Sequence, residues 1–235
     1  MTTPATAGAS RRALVCCIGV SRTFGAGASA VVALHDANCA LRPGEQVALT
    51  GRSGSGKSTL LHLLAGLDTP TTGKVTWPAI GPQDELRPGP VGVVFQAPSL
   101  LPPLDVLENV TLPLLLAGVS RDLALQRAHD ALVSLDLDGL AAKLPEELSG
   151  GQAQRVAIAR VLASRPRLIL ADEPTGQLDH VTGGHVIGTL IECATTVGAG
   201  LIVNTHDPAV SDRFESRWTM DDGRLDTSGM TTCSA

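Results

Sequence analysis

The chain has 235 residues, of which 43% are hydrophobic and 17% charged, a balance that fits a folded globular protein and excludes a disordered one. Its net charge of -5 argues against a nucleic-acid partner, which selects a basic face. Cys16, Cys17, Cys39, Cys193 and Cys233 contain no C-x-x-C pair, so neither a disulfide framework nor a zinc site is expected and a reducing compartment fits.

Residues 1–12 are rich in Thr, Ala, Gly and Ser and read as a flexible tail, as do residues 227–235. The run ALVCCIGV after Arg11-Arg12 has a superficial likeness to a signal peptide. It is short, stops at Ser21-Arg22 and lacks a small-residue cleavage site, so it reads as the first strand. No apolar run approaches the roughly 20 residues of a membrane helix, so any membrane role comes through a partner. The clearest further strands are 46–50, 91–95, 168–172 and 201–205, each apolar enough to be buried on both faces. Helical patterns fall at 57–66, 121–135, 152–164 and 182–197; in the second, Leu125, Ala128, Leu132 and Leu135 share one face. Residues 78–90 are rich in Pro and Gly and read as a loop. This alternation predicts an α/β fold with a mainly parallel sheet, into which the helical stretch 99–148 is inserted.

Gly51, Gly56, Lys57 and Ser58 fit G-x-x-x-x-G-K-[ST], and the motif follows a strand and opens a helix. In that context the loop amides around Ser53, Gly54 and Ser55 wrap phosphates, Lys57 adds a compact positive charge, the Ser58 hydroxyl can ligate Mg²⁺, and Thr59 adds a second hydroxyl. Asp172 and Glu173 end the apolar strand RLILADEP, where two carboxylates are costly unless they serve a cation or a reaction. Asp172 suits the magnesium shell, through water, and Glu173 suits general-base work or orientation of the attacking water. Gln96 follows VGVVF and His206 follows LIVNT; strand ends of this kind face the ligand crevice of a parallel sheet. There Gln96 can reach both the metal and the water, and His206 the terminal phosphate, although either taken alone is equally well an ordinary loop residue.

The pentapeptide Leu-Ser-Gly-Gly-Gln at 148–152 stands immediately before a helical pattern. A hydroxyl at Ser149 and backbone amides at a helix start form a second anion site, so a nucleotide held from two sides is expected.

With these residues in order, the chain resembles the ATP-binding subunit of ABC transporters, from about residue 13 to residue 226. The resemblance rests on Walker A at 51–58, the Q-loop Gln96, the signature at 148–152, Walker B at 168–173, the D-loop Gly176-Gln177-Leu178-Asp179 and the switch His206. It implies a P-loop NTPase (RecA-like) core with a small antiparallel β-subdomain and an inserted helical subdomain at about 97–150. It also implies an ATPase using ATP and Mg²⁺, which works as a head-to-tail homodimer on an integral membrane permease, at the inner face of the cell membrane. Ser149, Gly151 and Gln152 of one copy are then expected at the ATP held by Lys57 of the other, with Asp179 at the same interface. Phe24 is by position the ring that stacks on adenine, its alternative being the packing of the first hairpin. The stretches 51–75, 100–118 and EPTGQLD at 173–179 resemble the lipoprotein-release, macrolide-export and cell-division branch, which implies export or mechanical transmission rather than import. Gln177 for a usual Asn, Arg52 for a frequent Pro, and a short 76–90 segment depart from that branch. Soluble ABC ATPases of translation or repair fit less well, because there is neither a second cassette nor a long coiled coil. A purely regulatory nucleotide binder fits poorly with the full set Lys57, Asp172, Glu173 and His206.

Overall fold

A computed structural model describes residues 12–227. The two expected tails lie outside the described residues, apart from Arg12 and Thr227. Strands β1 (Val15–Phe24), β2 (Val31–Leu41) and β4 (Thr72–Thr76) form an antiparallel sheet in the order β2-β1-β4. The second sheet has six strands: β3 (Gln46–Gly51), β5 (Val91–Val94), β6 (Leu168–Asp172), β7 (Gly200–Asn204), β8 (Ser216–Asp221) and β9 (Arg224–Asp226). Their order is β5-β6-β7-β3-β8-β9, and all pairings are parallel except that of β9 with β8.

Every residue of β6 and β7 is buried, as their unbroken apolar runs require. Side chains along β6 serve two cores in alternation: Leu168 and Leu170 on one face, Ile169 and Ala171 on the other. The first face meets helix α1 (Lys57–Leu64) and the antiparallel sheet, through Val15, Leu34, Leu60 and Leu64. The other meets α4 (Gly150–Ala163) and α5 (His180–Val197), and the same cluster runs on into α2 (Val106–Leu116) and α3 (Arg121–Val133) through Val110, Leu114, Ala128 and Leu132. A short helix α6 (Pro208–Ser211) leads into β8.

Several boundaries differ from the sequence expectation for local reasons. The helix expected from residue 152 starts at Gly150, because Ser149 caps it. The helix expected from 182 starts at His180, because Asp179 caps it. The first strand continues to Phe24, and β8, not apparent as an apolar run, buries Trp218 and Met220 on one face only. Pro102 and Pro103 precede α2, but Pro113 lies inside it. One cysteine departs from the thiol expectation: Cys16 is disulfide-bonded, whereas Cys17 and Cys193 keep their thiols.

Candidate functional site

Because the strands run parallel, their carboxyl ends lie along one edge of the sheet. Asn204 at the end of β7 stands beside Leu49 of β3 on one side and Asp172 of β6 on the other. One strand therefore separates the glycine loop from the paired carboxylates, a gap of roughly 10 Å. That spacing suits a phosphate chain gripped at one end and attacked at the other.

Two glycines of the loop are sterically required. Gly51 has φ 148°, and a Cβ there would come within 2.1 Å of the Met220 carbonyl oxygen. Gly56 has φ 104°, and a Cβ there would meet the Ala33 carbonyl oxygen at 2.3 Å. Gly56 is also the N-cap of α1 and has no side chain with which to satisfy the first-turn amides, which leaves them directed at a ligand. Lys57 is 6% exposed, and its Nζ donates to the carbonyls of Gly51 (2.9 Å) and Arg52 (2.7 Å). Burial lowers its pKa, while the nearby Glu173 and Asp172 charges act in the opposite sense.

A cavity of about 490 Å³ joins this loop to the other strand ends. Gly51, Ser53, Gly54, Gly56, Lys57, Ser58 and Thr59 line one wall, and Gln96, Glu173 and His206 the other. Ser55 is buried beneath the loop, where its carbonyl accepts from the Gly223 amide. Asp172 is buried, and its carboxylate accepts from the side-chain amide of Asn204. Glu173 has a left-handed backbone (φ 47°), a sparsely populated conformation for a residue with a Cβ. Its carboxylate lies 2.8 Å from His206 Nδ1, and this hydrogen bond and charge raise the imidazole pKa. Asn204 and Ala33 also line the cavity. Sequence reasoning passed over both; the signal for Asn204 was an amide closing the otherwise apolar strand LIVN.

Gln96 sits on a segment held by α4. Gln154 Nε2 donates to the Phe95 carbonyl (3.1 Å), and Arg160 donates to those of Pro98 (3.2 Å) and Ser99 (3.0 Å). The same helix begins at the signature, so one rigid element carries both.

The remaining expected residues lie outside the cavity. Ser149 Oγ accepts from the Gln152 amide (3.2 Å), and Gln152 Oε1 accepts from the Ser149 amide (2.9 Å), a reciprocal capping box. Ser149 thus also has a role within its own chain, as the cap of α4. A Cβ on Gly151 would touch Leu178 at 3.1 Å, so the signature packs against the D-loop. Asp179 accepts from the amides of Val181 and Thr182 and from the Thr182 hydroxyl, bonds that lower its pKa. Phe24 is 43% exposed on the antiparallel sheet.

A buried lysine on a strand–glycine loop–helix, beside a strand ending in Asp-Glu, defines a P-loop nucleotide hydrolase. Residues 34–176 match the family model described as ABC transporter. The chain is 40% identical over 215 residues to a lipoprotein-releasing system ATP-binding protein of Hyphomonas neptunium, covering 88% of this chain and 94% of the relative. It is 43% identical over 222 residues to an uncharacterized ABC transporter ATP-binding protein of Mycobacterium tuberculosis, covering 92% and 90%. Among solved structures it is similar to a dimeric post-hydrolysis state of an ATP-binding cassette bound to ADP and Pi, with a TM-score of 0.83 and 37% identity over 92% of this chain and all of the other. The chain belongs to the ABC transporter family, as an ATP-binding and ATP-hydrolysing subunit.

Proposed function

We propose that the chain hydrolyses ATP at two interfaces of a head-to-tail homodimer and thereby drives an integral membrane permease toward export or mechanical transmission, from the inner face of the cell membrane. Among the described residues no helix is long and apolar enough to cross a membrane. The branch assignment is supported by the lipoprotein-releasing relative and the EPTGQLD segment.

The observation that carries the dimer is the division of the site. Lys57 and Glu173 share one cavity, while Ser149, Gly151, Gln152 and Asp179 stand outside it on their own chain. A second copy brings the signature to the phosphates; that the similar cassette solved with ADP and Pi is dimeric supports this reading. Residues 13–226 form the working domain, with 97–150 as its helical part.

Lys57 and the loop amides hold the β- and γ-phosphates. Ser58, Gln96 and the buried Asp172 offer oxygen donors of the kind Mg²⁺ prefers, and the metal, when bound, neutralises charge on the phosphates. Glu173 takes the proton of the attacking water, and His206, hydrogen-bonded to Glu173, keeps that carboxylate turned toward the cavity and faces the γ-phosphate. Glu173→Gln should retain ATP binding, lose about 10²- to 10⁴-fold in turnover and accumulate an ATP-bound dimer. Turnover close to the parent's in that variant would remove Glu173 from the reaction.

A further inference from the structure

The exposed ring of Phe24 has a back support. Phe24 pairs across the strands with Val31. Partners directly opposite share a face, as do residues two apart along a strand, so Phe24, Val31 and Ala33 lie on one side of the hairpin. Ala33 lines the phosphate cavity. Phe24 and Val31 are 43% and 64% exposed, so an apolar strip continues outward from the phosphates.

One face of the Phe24 ring is already occupied. The Arg22 guanidinium carbon lies 4.5 Å from the ring centroid. Arg22 Nε in turn donates to Asp68 Oδ2 at 2.8 Å, with both side chains about three-quarters buried. Asp68 follows α1 on the chain, and the segment after it is tied to the same strand: Thr71 N donates to the Ser21 carbonyl and Thr23 N to Thr71 Oγ1. The helix whose first turn faces the phosphates is thus followed, a short way past its end, by the carboxylate that fixes Arg22.

We propose that Arg22, held by Asp68, is a positioning residue for the nucleotide base: it clamps one face of Phe24 so that the other is presented to adenine. This rests on the assignment of Phe24 as the base platform. The guanidinium also puts positive charge behind the ring, which strengthens its attraction for the electron-rich face of a purine. Removing it frees the ring to rotate, and binding must then re-order it.

The test compares equilibrium binding of ATP and of inorganic tripolyphosphate, which has the phosphates without the base. Arg22→Met should weaken ATP about two- to fivefold, the range of an exposed cation–π contact, and leave tripolyphosphate unchanged. Arg22→Lys should restore most of the ATP affinity, and Asp68→Asn should show the same ATP-only loss as Arg22→Met. Equal weakening of both ligands by Arg22→Met would mean that Arg22 acts on phosphates or on folding, and overturns the proposal. Parent-like ATP affinity in Arg22→Met with a loss in Phe24→Ala overturns it too, leaving the platform intact. Parent-like ATP affinity in Phe24→Ala removes the platform, and the clamp with it.

Discussion

Ser149 provides the sharpest test of how the site is shared, because its hydroxyl has two capacities that substitutions can separate. As an acceptor it caps α4 through the Gln152 amide. As a donor it still has one O–H to offer a phosphate. Ser149→Ala removes both, and loss of a cap costs about 1 kcal/mol. In a chain of this size that lowers the melting temperature by roughly 2–4 °C without nucleotide. Ser149→Asp keeps a good cap, so its nucleotide-free melting temperature should stay within about 1 °C of the parent's. It cannot donate, however, and it sets a negative charge against the γ-phosphate of the partner's ATP. At about 4 Å that repulsion is roughly 1 kcal/mol at the water limit and 4 kcal/mol at a surface-like dielectric. Two symmetric sites double it, so ATP-driven dimerisation should weaken by at least roughly thirtyfold. The assay is sedimentation of the Glu173→Gln protein with ATP, with and without the Ser149 change, beside thermal unfolding of the nucleotide-free chains. A Ser149→Asp protein that dimerises like its parent refutes the γ-phosphate contact. Equal destabilisation by Ala and Asp refutes the cap.

His206 should titrate above its ordinary value of 6.5, because the Glu173 hydrogen bond and charge favour the imidazolium. The sign follows from the raised folded value: the interaction stabilises the fold fully below pH 6.5 and is lost as pH rises through the His206 midpoint. The imidazole resonances of the parent and of Glu173→Gln check this, and a midpoint indifferent to that substitution counts against the pair. Arg160→Met removes the donor to the carbonyls of Pro98 and Ser99. Hydrogen bonds from charged donors contribute about 1.5–3 kcal/mol, and partial exposure places this one at the low end, so the amides of Gln96, Ala97 and Ser99 should exchange roughly tenfold faster. Strands β6 and β7 should be unaffected; a uniform rise across the chain would mean general destabilisation instead.

The fold was legible where side-chain period and burial coincide. The runs LILAD and LIVN declared buried parallel strands, and the glycine loop between β3 and α1 identified itself by composition. The strands β4, β8 and β9 were not apparent, because each is short and half-exposed or alternating, a pattern that many loops also show. Helix starts at Ser149 and Asp179 were displaced for another reason. The family resemblance implies intermolecular contacts for both residues, and their hydrogen bonds show them also acting as caps. A polar residue can do both, and only the geometry separates the roles.

Asp172 and Glu173 show what a linear reading cannot supply. Adjacent carboxylates on an extended strand would point to opposite faces, one into each apolar core. Instead the chain leaves β6 at Asp172 and turns left-handed at Glu173. The neighbouring strand end supplies a partner for each: Asn204 bonds Asp172, and His206, two residues on, bonds Glu173. The first pair is buried, which suits a fixed oxygen donor for a cation. The second is partly open, with the imidazole largely exposed and the carboxylate mostly buried, which suits a group that must meet water and pass on a proton. The difference between the two carboxylates lies in which residue each one faces, Asn204 closing β7 or His206 just beyond it. Asn204 was overlooked because its importance arises only from that pairing, across 32 residues of chain.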